Sequence, residues 1–244
     1  MLTTIPMTVW TAFILLIDTL VMGGAVILLA PFSKTGRLTF FFCRAWAWVL
    51  FKTHRLKIQI EGREYLQKNR SYVFMSNHAS HLDPPAAALA LSHPLRFVAK
   101  ASLARIPVFG LATRMAKMIF IDRENNPSAL ERLNKSISEL RDGISAYFFA
   151  EGTRSVDGRL MAFKKGGVML ALKARLPIVP VTITNSHDLL PKNKMRIRPG
   201  IIRVIISPPI ETAGYDESGK DDLLAKVRSV ISRNLMPRAV GENA

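Results

Sequence analysis

Residues 9–32 form an almost unbroken apolar run, interrupted by Asp18 and two glycines, and a run of that length leaves the chain few places to put it. A helix of about 20 residues crosses the ~30 Å hydrocarbon core of a bilayer. A cleaved leader would need a basic start and a small-residue cleavage site. The first Lys or Arg is Lys34, so the run reads as an anchor. Cations then follow at once, at Lys34, Arg37, Arg44, Lys52, Arg55 and Lys57. Their position predicts that everything beyond Lys34 lies on the cytoplasmic side, the inner membrane in a bacterium. A second apolar stretch, residues 38–51, contains Arg44, Trp46 and Trp48 and is short for a span. It is expected to lie in the interface or to form a shallow hairpin with the first segment. Asp18 is costly in lipid, which keeps a shallow or re-entrant first helix open beside a spanning one.

Beyond residue 55 the pattern changes to that of an α/β domain. Short β-branched or aromatic runs occur at 56–60, 72–75, 96–99, 119–121, 144–149, 178–184 and 201–206. Helical stretches separate several of them. Residues 84–91 begin with prolines, as a helix N-terminus does. Asn126-Pro127 opens an amphipathic helix with Leu130, Leu133, Ile137 and Leu140 at the helical period, ended by Gly143. Residues 167–174 and 221–235 complete the set. The expected fold class is α/β: a largely parallel or mixed central sheet flanked by helices, preceded by an N-terminal membrane-anchoring helix pair. The expected division is 1–54 for the anchor and 55–244 for the soluble domain.

The formal net charge of +16 calls for an anionic partner. Nucleic acid, an anionic membrane surface and a phosphorylated or CoA-linked substrate all satisfy it. The basic residues form no recognisable nucleic-acid module, and the anchor points elsewhere, so no nucleic acid is expected. The single cysteine, Cys43, excludes an intrachain disulfide and reads as a small hydrophobe.

Two loops carry the chemistry. Ser76-Asn77-His78-Ala79-Ser80-His81-Leu82-Asp83-Pro84-Pro85 follows an apolar strand and precedes a helix, a place where ligands gather in open α/β sheets. A histidine there can take a proton from a hydroxyl, and a carboxylate on its other nitrogen would fix the tautomer. Three other readings stand beside this one. Asp83 could be a plain helix N-cap, His78, His81 and Asp83 could bind a metal, and Ser80 could be a nucleophile with His78 as its base. The second loop is Phe149-Ala150-Glu151-Gly152-Thr153-Arg154-Ser155. Gly152 allows close backbone approach, and Arg154 offers a fork suited to phosphate. An ordinary turn with a Glu151–Arg154 ion pair accounts for the same residues. Lys164 and Lys165 precede a helix, either as an anion site or as a solvated pair. Residues 100–110 mix cations with Ile106, Val108 and Phe109, as a lipid-facing or acyl-binding loop does.

Taken together these segments resemble the 1-acylglycerol-3-phosphate acyltransferase family, the glycerophospholipid acyltransferases with an N-H-x4-D signature. The blocks that carry the resemblance are Asn77 to Asp83; Lys100, Pro107, Gly110 and Phe120-Ile121-Asp122-Arg123; Phe149 to Ser155; and Ile178-Val179-Pro180-Val181. Their order and separations fit, over roughly residues 55–210. By this resemblance His78 is the general base and Asp83 orients it. The acceptor hydroxyl attacks the thioester directly, so Ser80, with Asn77, supports the loop. Glu151, Gly152, Thr153 and Arg154, with Arg123, would hold the acceptor phosphate, and Lys100 the phosphate or the oxyanion. The implied acceptor is a lysophospholipid and the implied donor acyl-CoA or acyl-carrier protein. No metal or other cofactor is implied. A different acceptor (another lysophospholipid, a lyso-aminolipid or glycerol 3-phosphate) and a non-catalytic basic membrane protein are the alternatives.

Overall fold

The structure is a computed structural model that describes residues 4–122 and 126–236. The apolar run is α1 (Thr4–Leu29), and a short turn leads to α2 (Arg37–Thr53). Among the described residues, Thr8–Phe32 is the one helical stretch long and apolar enough to cross a membrane. Its Trp10, Phe13, Leu16 and Val21 face outward. The two helices are joined by polar contacts. The Trp46 indole N–H donates to Thr19 Oγ1 at 3.2 Å, and Thr11 Oγ1 lies 3.0 Å from His54 Nε2. α2 is amphipathic in an unusual sense, because both faces are apolar at some positions. Phe40, Ala47, Leu50 and Phe51 are buried against the rest of the protein, while Phe41 and Trp48 remain exposed.

The chain then runs β1 (Leu56–Glu61), β2 (Val73–Ser76), α3 (Asp83–Ala90), β3 (Leu95–Lys100), α4 (Phe109–Met115), β4 (Ile119–Ile121), α5 (Asn126–Ser136) and β5 (Ser145–Phe149). It continues as α6 (Gly166–Ala174), β6 (Ile178–Thr184), α7 (Ser186–Leu189), β7 (Gly200–Ile206) and α8 (Lys220–Leu235). The seven strands form one mixed sheet in the order β1-β7-β6-β2-β5-β3-β4, with every neighbouring pair parallel except β6–β7. Five strands therefore end on the same edge, and β1 and β7 run the other way. Alternation along the strands builds a core on each face. Phe74 and Tyr147 pack with α2 and α3, whereas Val73, Met75, Ala146 and Phe148 pack with α6 and α8.

Two expectations change in detail. The helix opened by Asn126 stops at Ser136 and passes into a tight turn, Ile137–Glu139, instead of continuing to Leu140. Ser136 Oγ donates to Leu133 O at 2.6 Å, and such back-bonding competes with the helical ladder at a helix end. Residues 101–115 are not an open loop: a 3-10 turn, Ala101–Arg105, leads into α4. α4 packs on α1, where a side chain at Gly23 would meet Val108 Cγ1 at 3.0 Å.

Arg96, at the start of β3, is only 1% exposed. Its guanidinium donates to Thr35 O in the α1–α2 connector and to Ala116 O at 3.5 Å, and Nε lies 3.7 Å from Glu139. Gly36 has φ +71°, and a Cβ there would sit 2.9 Å from Arg96 Nη2. The connector is thus pinned to the sheet where only glycine fits.

Candidate active site

The edge on which β2, β5, β3, β4 and β6 end collects the groups singled out in the sequence. Ser76 and Phe149 are paired at the ends of β2 and β5. The loops that leave them, one with His78 and one with Glu151, are therefore neighbours from the start. His78 N–H donates to Glu151 Oε1 at 2.7 Å, and Ser155 N–H donates to His78 O at 2.8 Å. Asn77 ties the first loop to β6 through a two-way amide bond: Nδ2 to Ile183 O and Ile183 N to Oδ1, both 2.8 Å.

Five residues after His78, the chain has turned so that Asp83 Oδ2 lies 2.8 Å from His78 Nδ1. The same oxygen accepts N–H bonds from Ala79 at 2.7 Å and Ser80 at 2.8 Å. Asp83 is fully buried, and Oδ1 has no partner among the described residues. A carboxylate aimed at Nδ1 leaves Nε2 as the basic nitrogen. The Phe149 ring stacks on the imidazole at 3.9 Å between centroids and 21° between planes. This holds the ring in plane and limits water on that side. Asp83 is the first residue of α3, followed by Pro84 and Pro85, and it accepts from amides before the helix while also holding His78. The helix cap position is Leu82, with no side-chain capping bond, so the Asp83 carboxylate serves the loop and His78 and does not cap α3.

Ser80 Oγ is buried, donates to Leu190 O at 2.8 Å and accepts from Leu82 N–H at 3.2 Å. A hydroxyl so committed braces the loop and is not presented to a substrate. His81 is exposed and bonds to neither His78 nor Asp83. Among the described residues no group of three His, Cys, Asp or Glu side chains is arranged to hold a metal ion.

The sequence places Glu151 beside the acceptor phosphate or in a pair with Arg154. Its carboxylate is 3% exposed and fully used, taking His78 N–H on one oxygen and Met161 N–H at 2.9 Å on the other. Those two bonds join the two loops. Burial pushes the Glu151 carboxyl above its usual range, although its two amides and His78 pull the other way. Gly152 turns the chain with φ +73°, and Thr153 is exposed. Arg154 Nη1 is buried and has no hydrogen-bond partner among the described residues, a donor held ready for an anion. Partial burial lowers the Arg154 pKa, and the Asp83 charge opposes that shift. Lys192 Nζ donates to Arg154 O at 2.8 Å and sets a second cation against this loop.

Lys100 is the exposed last residue of β3, two strand spacings or ~10 Å from β2. Arg123 lies outside the described residues.

Comparison with known proteins adds the following. The profile of the Acyltransferase family matches residues 57–184. A 1-acyl-sn-glycerol-3-phosphate acyltransferase of Borreliella burgdorferi is 31% identical over 199 residues, covering 82% of this chain and 80% of that one. One of Limnanthes alba is 36% identical over 181 residues, covering 74% of this chain and 64% of that one. This chain thus spans less than two thirds of the length of the longer plant relatives. The crystal structure of the 1-acyl-sn-glycerophosphate (LPA) acyltransferase from Thermotoga maritima superposes with a TM-score of 0.81 at 26% identity, covering 96% of this chain and 95% of that one.

Proposed function

Because the chain belongs to the Acyltransferase family, whose profile spans its sheet from β1 to β6, we propose that it transfers a fatty acyl group from acyl-CoA or acyl-carrier protein to the free sn-2 hydroxyl of 1-acyl-sn-glycerol 3-phosphate, giving phosphatidic acid. The observation that carries the reading is the 2.8 Å contact of His78 Nδ1 with a carboxylate oxygen that two backbone amides also hold. It supports a base whose tautomer is set before the substrate arrives.

In this mechanism the acceptor hydroxyl gives its proton to His78 Nε2 as its oxygen attacks the thioester carbonyl carbon. Asp83 stabilises the imidazolium. The tetrahedral intermediate collapses, the C–S bond breaks, and His78 returns the proton to the departing thiolate. Glu151, Gly152, Thr153 and Arg154, assisted by Arg123, form the acceptor-phosphate site, and Lys100 serves the phosphate or the developing oxyanion. Asn77, Ser80 and Glu151 position the loops. Residues 1–54 anchor the protein and residues 55–244 form the catalytic domain, on the cytoplasmic side of the membrane as the cations after α1 indicate.

The test is to incubate detergent-purified protein with acyl-CoA or acyl-carrier protein and lysophosphatidic acid, and to follow phosphatidic acid by mass spectrometry. Wild type should form product, and His78→Ala should lower kcat by ~10²–10⁴ with unchanged circular dichroism. Substantial turnover by His78→Ala would remove the mechanism. Product only with a different acceptor from a panel of lyso-lipids and glycerol 3-phosphate would replace the proposed substrate.

A further inference from the structure

At the β4 end of the sheet lies a cleft of about 520 Å³ that the mechanism above does not use. Arg105, Arg114 and Arg132 line it together with Ala101, Ala104, Met118 and Phe120. The three arginines come from three elements: the 3-10 turn after β3, α4 and α5. Their convergence is a product of the fold and not of a local run of basic sequence. Gly110 is part of the reason. A Cβ there would lie 2.4 Å from Ala104 O, so α4 sits hard against the turn that bears Arg105. The glutamates of α5 and of the turn that follows it are paired elsewhere, Glu131 with Lys135 and Glu139 with Lys117 and Arg96. Among the described residues no carboxylate pairs with any of the three.

Three guanidiniums over a partly apolar wall fit a ligand with several phosphates and a flat apolar group. The cleft has the volume of a small-molecule site. It also has a fixed relation to His78. From β2 the sheet order runs β5, β3, β4, so the cleft lies about three strand spacings, or ~14 Å, from the strand that carries His78. A pantetheine arm separates a thioester sulfur from the nearest phosphate by a length of the same order. Lys100 ends β3 on the way, next to Ala101 in the cleft wall.

We propose that Arg105, Arg114 and Arg132 bind the phosphates of coenzyme A, so that the acyl donor lies along the strand-end edge of the sheet with its thioester at His78. The inference rests on the acyl-transfer reading and names its donor. Coenzyme A carries a diphosphate and a 3′-phosphate, whereas the phosphopantetheine of a carrier protein offers a single phosphodiester. Three cations match the former.

The experiment compares the full-length wild type with the triple variant Arg105→Ala, Arg114→Ala, Arg132→Ala. All three side chains are exposed, so the fold should persist, as checked by thermal unfolding. The KM for acyl-CoA should rise about tenfold or more, with kcat and the KM for the acceptor unchanged. With an acyl-S-pantetheine donor that lacks phosphates, the two proteins should behave alike. Calorimetric titration with coenzyme A itself keeps the test independent of turnover. Binding that weakens about tenfold in the variant supports the site even if the acceptor is wrong. Equal coenzyme A affinity in both proteins overturns the proposal. It is equally overturned if the variant instead loses binding to vesicles rich in anionic phospholipid while the acyl-CoA KM stays put, because the cleft would then serve lipid headgroups.

Discussion

One oxygen of Asp83 answers three donors, and the other answers none among the described residues. Asp83→Asn is nearly isosteric but must place an NH2 either against two amide N–H groups or in the buried position of Oδ1. We expect kcat to fall ~10²–10⁴ through loss of the correct tautomer and stability to fall by about 1–3 kcal/mol, read by steady-state kinetics and denaturant unfolding. Wild-type kcat in this variant would show that the carboxylate charge is not needed. Glu151→Gln should cost about 1–3 kcal/mol, since an amide can accept from only one of the two N–H groups. It should also change the pH dependence of stability. Burial raises the folded-state pKa of Glu151 above the ordinary 4.5. Between those two values the folded chain holds more protons than the unfolded one, so this residue's contribution is lost as pH rises through the window. The variant lacks that slope, and a difference between the two proteins that stays flat from about pH 4 to 8 would argue against the raised value. Arg154→Ala should weaken acceptor binding by roughly 2–5 kcal/mol, seen as a higher acceptor KM, and an unchanged KM would remove Arg154 from the phosphate site. The sequence led to His78, Asp83 and Arg154 because each residue type has few uses at the end of an apolar strand. It did not announce the bond that Glu151 accepts from an amide 73 positions earlier in the chain. No local pattern encodes that distance.

Among the elements, the seven strands were legible because a short buried β-branched run bounded by turns suits a strand and little else. The end of α5 was not. Apolar periodicity runs on to Leu140, and one serine hydroxyl bonding backward goes with the tighter turn. α2 is the more consequential case. Its composition suggested a helix lying in the interface or a shallow hairpin with α1; it does pair with α1, and Phe40, Leu50 and Phe51 also belong to the main core. Burial of three such side chains contributes about 5–9 kcal/mol, comparable with the whole stability of a domain. Deleting residues 1–54 should therefore give unfolded or aggregated protein, whereas deleting residues 1–32 should leave a cooperative thermal transition. Calorimetry on both truncations checks this, and a well-folded 55–244 fragment would show that α2 is dispensable to the core.

For the whole molecule, a net charge of +16 and an apolar α1 make two contributions to membrane affinity that respond differently to salt. Binding to anionic vesicles should weaken as salt rises from ~0.1 M to ~1 M, because charge attraction is screened. A fraction that survives should persist on neutral vesicles, because burial of apolar side chains is not screened. Flotation assays separate the two, and complete release at high salt would mean that α1 does not insert. Fold class was legible at this scale from the alternation of strands and helices, but the relation between anchor and sheet was not, since it runs through Arg96. That side chain holds the α1–α2 connector at one end of β3, and Lys100 ends the same strand at the edge from which the His78 and Glu151 loops leave β2 and β5. Four residue steps of extended chain, ~13 Å, separate them. β3 therefore acts as a ruler. It fixes how far the loop of His78 stands from the turn between α1 and α2, so a shift of that helix pair would carry the loop with it as one rigid piece.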